Sequence, residues 1–138
     1  MSNIDTAKEE FSKDDYSFVI AGEGKIITNK EKGLKSVIDL IESGEDFSEY
    51  SLCDKITGRA AAFLYVLLGI EAVHAKKMAK LAVQILDRAE IEYSYDEMIE
   101  TVLDAQMKEI DPIELSVLRS GSAIQAIEDI KKAIGYSK

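Results

Sequence analysis

The sequence is short of several residue types, and each shortage excludes something. Its one cysteine, Cys53, cannot close an intramolecular disulfide, which excludes a secreted disulfide scaffold. Its one proline, Pro112, leaves no helix breaker anywhere upstream. Lys and Arg total 17 against 26 Asp and Glu, a net charge of -9. A chain this acidic lacks the cationic face that nucleic acids and anionic membranes require. The longest apolar stretch, Ala60 to Ile70, is about half of the ~20 residues a membrane-spanning helix needs. Met1 to Asp15 is polar and acidic, with no apolar segment of the kind a signal peptide carries. These absences predict a cytoplasmic protein with a free thiol, no nucleic-acid partner and no membrane partner.

What is present is an ordinary globular composition, 46% apolar and 31% charged over 138 residues, which suits one domain with one core. Residues 1–15 read as a polar N-terminal extension, either a tail or a short amphipathic helix ending near Lys13. Residues 16–138 read as the domain. Tyr16 to Ala21 is β-rich, Gly22-Glu23-Gly24 is turn chemistry, and Lys25 to Thr28 is β-branched; together they predict a hairpin. Leu34, Val37, Ile38, Leu40 and Ile41 recur at helical spacing, and Ser43-Gly44 closes that helix.

A strand is expected near Tyr50 to Cys53. It leads into a helix, Ala60 to Leu68, apolar on nearly all sides and therefore buried on both faces. Asp54 or Thr57 would cap it and Gly69 would end it. Ile70 to Ala75 reads as a buried strand, Met78 to Ala89 as a helix, and Ile91 to Tyr95 as a strand. Asp111-Pro112 with Glu114 opens a helix that Gly121 stops, and Ser122 with Gln125 caps a last helix ending before Gly135. The resulting order, β-β-α-β-α-β-α-β-α-α, predicts an α/β protein: a three-layer α/β/α sandwich on a mixed sheet of about five strands.

This order is similar to that of the cytidine-deaminase-like fold. Within it, Cys53-Asp54-Lys55-Ile56-Thr57-Gly58-Arg59-Ala60-Ala61-Ala62 resembles the signature of an uncharacterised domain family of that fold, in which an Asp-Lys pair precedes Gly, a basic residue and alanines. The resemblance runs from about Tyr16 to Leu118. Relatives often carry Cys-Pro-x-Glu near the C-terminus; here that place reads Asp111-Pro112-Ile113-Glu114, with Pro and Glu kept and the thiol replaced. Zinc deamination needs a His or Cys beside a Glu on one helix and a Cys pair on the next. This chain has one His and one Cys in total, so the reading carries no metal and no cofactor.

Ligands of open α/β sheets bind beyond the carboxyl ends of parallel strands. Two such ends are expected, one delivering Cys53, Asp54 and Lys55, the other His74 to Lys77. Lys55 and Arg59 at the positive end of a helix, with Gly58 and free backbone N–H groups, would suit a phosphate or carboxylate. The alternative is that both cations simply pair with acids. The candidate ligand-binding residues are thus Asp54, Lys55, Gly58, Arg59 and His74. His74 reads as a proton-transfer group or as a hydrogen-bonded structural residue. Cys53 reads as a buried hydrophobe unless Lys55 activates it. Asp87 to Glu114 holds ten acids against two bases, a solvated surface without a calcium-loop pattern.

Three functions follow. The first is a non-catalytic domain binding a phosphorylated small molecule or nucleotide. The second is a metal-free enzyme using Cys53, Asp54, Lys55 or His74, and the third is a protein-interaction module. A homo-oligomer is compatible with each.

Overall fold

Glu23 and Gly24 both take positive φ, 50° and 74°, the backbone of the turn that matches strand twist in a two-residue hairpin. In the computed structural model, which describes residues 2–137, this turn joins β1 (Phe18–Gly22) to β2 (Lys25–Asn29). The elements that follow are α2 (Lys35–Glu42), β3 (Ser51–Thr57), α3 (Arg59–Leu68), β4 (Ala72–Ala79), α4 (Lys80–Arg88), β5 (Glu92–Ile99), α5 (Pro112–Ser116) and α6 (Ala123–Ile134), and α1 (Asn3–Phe11) precedes them all. The sheet is open and mixed, in the order β2-β1-β3-β4-β5. β1 is antiparallel to β2 and to β3, while β3, β4 and β5 run parallel.

Side chains alternate between the faces of a strand, and here the faces are covered unequally. Phe18, Ile20 and Leu52 turn toward the main core with the buried residues of α3, whereas Val19, Ala21 and Cys53 turn toward α1. Three successive alanines, Ala60 to Ala62, all buried, let α3 sit close to its neighbours. It packs on β3, between α2 and α4, with α6 as an outer helix over it. That explains a helix apolar on nearly every side. Among the described residues the opposite face carries only α1, which lies on β1, β3 and β4. Beyond it, the α1-side residues of β5 are open to solvent.

The structure departs from the sequence reading in several places. Of the two readings of the first residues, a tail or a short amphipathic helix, the helix is the one observed: α1 is capped by Ser2, and its Ala7 and Phe11 are buried against the sheet. Two apolar residues a turn apart are a weak signal within so many charges. β3, β4 and β5 each run further than expected. Met78, assigned above to the helix, is the partner of Thr57 and of Met98 in the sheet. A strand continues wherever a neighbouring strand supplies hydrogen bonds, and local sequence does not contain that neighbour. α5 ends at Ser116 rather than at Gly121.

Candidate functional site

β3 ends and α3 begins within two residues, so the chain turns sharply where the strand's last carbonyls and the helix's first N–H groups meet. A cavity of about 360 Å³ lies there. Its walls are apolar, from Phe18, Leu34, Val37, Ala61, Val102 and Ile113, and its acidic groups are Asp54, Asp111 and Glu114. Lys32, Lys55 and the turn residue Gly33 also line it.

Asp54 is buried, and among the described residues no cationic side chain acts on it to offset that burial. Its Oδ2 accepts from the Tyr65 hydroxyl at 2.5 Å and from the Thr57 hydroxyl at 2.7 Å. Burial pushes its carboxyl up to about 6, against the opposing pull of those hydrogen bonds. Asp54 and Thr57, the alternative caps of α3 in the sequence reading, bond to one another instead, because both still belong to β3. The cap residue is Gly58, which has no side chain to offer.

Glu114, from α5, supplies the missing acceptors. Its Oε1 accepts from the Arg59 backbone N–H at 2.7 Å and its Oε2 from that of Ala60 at 2.9 Å. A carboxylate at a helix N-terminus is favoured by the helix dipole and by the unsatisfied N–H groups. Burial nonetheless raises its pKa. The absence of a side chain at Gly58 makes room for that carboxylate. A Cβ at Gly58 would overlap the Glu114 carboxylate and stand 2.7 Å from Val102 Cγ2.

Three of the five residues singled out from sequence, Asp54, Lys55 and Gly58, line this cavity, and two do not. Arg59 turns away. Its Nε donates to the Val117 carbonyl at 3.1 Å and its Nη2 to that of Ser120 at 3.0 Å, and its guanidinium lies 5.0 Å from the Phe63 ring centroid. It braces the turn between α5 and α6. Lys55 pairs with Asp15 at 2.7 Å on an exposed surface. Of the two alternatives, then, pairing with an acid describes Lys55, and carbonyl bracing describes Arg59.

His74 stands opposite Cys53 in the β3–β4 register, and so on the α1 face, across the sheet from Asp54. Cys53 is buried there, and its thiol is pushed up to about 12, chiefly by burial. A thiol so protonated is not a nucleophile at neutral pH. Neither the His nor the thiol reaches the cavity. Among the described residues no cluster of three or more His, Cys, Asp or Glu side chains is placed to hold a metal ion. No helix of the described residues is long and apolar enough to cross a membrane.

Sequence reasoning missed Tyr65, Thr57 and Glu114 as parts of the site. Tyr65 was hidden in the apolar run of α3. Glu114 had one signal, the Pro-x-Glu pattern at 112–114, which was there for the taking.

Comparison with known proteins agrees with this architecture. Residues 6–134 match the family model described as "TM1506: Domain of unknown function (DUF1893)". A crystal structure of a DUF1893 family protein, TM1506 from Thermotoga maritima, superposes with a TM-score of 0.83 at 28% identity, covering 96% of this chain and 88% of that one. No curated protein matches the chain.

Proposed function

This chain belongs to the DUF1893 family, and from that premise we propose that it is a cytoplasmic domain on a cytidine-deaminase-like fold, whose cavity at the carboxyl end of β3 is a non-catalytic, zinc-free site for a small anionic metabolite or nucleotide. The observation that carries the reading is the cavity at the carboxyl end of β3, whose about 360 Å³ falls in the size range of small-ligand sites. Its chemistry is divided. The apolar walls suit a flat ring. Asp54, Asp111 and Glu114 suit the N–H edge of a base or amide. Lys32 and Lys55 suit a phosphate outside the carboxylates. The helix N-terminus is not the phosphate site in this reading, because Glu114 already occupies its N–H groups. The hairpin followed by alternating helices and strands supports the deaminase-like assignment. The lone His and Cys lie on the far face of the sheet, which supports a site without zinc.

The test is a thermal-shift comparison of nucleoside monophosphates, the matching nucleosides and inorganic phosphate, on the parent, Lys55→Ala and the Lys32→Ala/Lys55→Ala pair. A ligand at a hundredfold excess over its Kd stabilises by about 2.7 kcal/mol, roughly ten degrees for a chain of this length. The reading expects a monophosphate to shift the parent and to lose most of its effect in the double variant. The unliganded variants should melt with the parent, since Lys55 pairs only at the surface. No shift from any phosphorylated compound would overturn the reading.

A further inference from the structure

The α1 face of the sheet holds a second constellation, independent of the cavity above. His74 is buried near the start of β4, and both its ring nitrogens are engaged by side chains of β5. Nδ1 lies 2.7 Å from Ser94 Oγ, and Nε2 lies 3.2 Å from Asp96 Oδ1. Ser94 and Asp96 are two apart on one strand, so alternation sends both to the same face, one to each side of the imidazole. With its proton on Nε2, directed at Asp96, the ring presents the Nδ1 lone pair to the serine hydroxyl. Nucleophile, base and orienting carboxylate are thus in hydrogen-bond sequence, the arrangement that activates a serine.

Ser94 is exposed and lines a cavity of about 500 Å³ whose apolar lining includes Ile4, Ala72 and Ile91. Asp87, Glu90 and Glu92 also line it, so anionic compounds are repelled there. Burial and the charge of Lys8 hold the His74 pKa below its usual value, keeping the ring in its basic form at neutral pH.

We propose that Ser94 is a nucleophile activated by His74 and oriented through Asp96, forming an acyl-transfer site for neutral or cationic esters. Ser94 Oγ attacks the ester carbonyl carbon while its proton passes to His74 Nδ1. The tetrahedral adduct collapses, the bond to the alcohol breaks, and the Nδ1 proton goes to the departing oxygen. Water then attacks the acyl-serine by the same proton route and releases the acid.

Labelling by a neutral fluorophosphonate, followed by intact mass and peptide mapping, tests this on the full chain. The expected result is one adduct on Ser94, absent in Ser94→Ala. Labelling should slow at least about a hundredfold in His74→Gln, the lower range for loss of a positioned base, and about tenfold or more in Asp96→Asn. His74 is buried and its variant can misfold; Asp96 has a side chain 65% exposed, so Asp96→Asn still decides the matter. No adduct, an adduct only on other residues, or a Ser94 adduct whose rate is unchanged in Asp96→Asn would each overturn the proposal.

Discussion

The two faces of the one sheet are built on different scales, and they treat charge in opposite ways. The α3 face is thick: α2, α3 and α4 cover it and α6 covers α3. Two acids, Asp54 and Glu114, lie in it, and burial raises both their pKa values. The α1 face is thin, with Ala7, Phe11, Val19, Ala21 and Cys53 as its buried cluster. There burial lowers a histidine. The shared cause is desolvation, which penalises whichever form is charged. Protonation therefore supports the fold from one side of the sheet and opposes it from the other.

The largest effect that would break this comparison is a core truncation on each side. Leu64, wholly buried in α3, should cost about 4 kcal/mol of global stability on replacement by Ala, within the range for buried leucines. Phe11→Ala removes the largest side chain of the thin cluster. It should cost about 3 kcal/mol, mostly as detachment of α1 while the α3 face stays protected. Urea denaturation with amide hydrogen exchange separates the two outcomes. Equal loss of protection on both faces in Phe11→Ala would mean that α1 is integral to one cooperative unit.

Gly58→Ala comes next, at about 2–3 kcal/mol. It drives the Glu114 carboxylate off the α3 N–H groups and crowds Val102, combining overpacking with lost charge-assisted hydrogen bonds. Glu114→Gln retains an acceptor and should cost about 1 kcal/mol. Equal losses in the two variants would show that the capping carboxylate, and not the steric limit at Gly58, dominates.

The pH dependence of Asp54 is the subtlest. Its folded value of about 6 exceeds its unfolded 3.8. The folded state therefore binds more protons between those values, and stability declines as pH rises from about 4 to 6. The decline amounts to about 3 kcal/mol. Asp54→Asn should remove that decline from a series of urea melts. His74 acts with the opposite sign: its folded value is lowered, so its contribution is lost as pH falls below its unfolded value of 6.5. With Asp54 neutralised, the acid-side loss due to His74 should emerge more clearly. An unchanged pH profile in Asp54→Asn would show that its burial costs the charged form nothing.

How much of this was legible in the sequence varied with the range of the cause. The hairpin was legible because Gly22-Glu23-Gly24 and its β-branched flanks act within a few residues. The last helix was legible because Ser122 caps it locally, accepting from Gln125 N–H. That Asp54, Lys55 and Gly58 line one cavity was legible because the end of β3 and the start of α3 are adjacent in the chain. Strand ends were not: Lys76 and Lys77 look like a boundary, yet Lys77 stands between Ile56 and Glu97 in the sheet.

The sequence by itself thus determined the order of elements from β1 onward, the mixed character of the sheet and the exclusion of a disulfide framework. Each follows from periodicity, turn chemistry or a count of residues. Only the tertiary structure decided what sits at the α3 N-terminus and which face His74 occupies. Glu114 reaches the Arg59 N–H across 55 residues, along a path through the irregular segment between β5 and α5 that no local pattern specifies. His74 shares a face with Cys53 because register pairs them, and a register shifted by one residue would send it to the other side. Local pattern sets what a segment can become; pairing and packing set which side chains then meet.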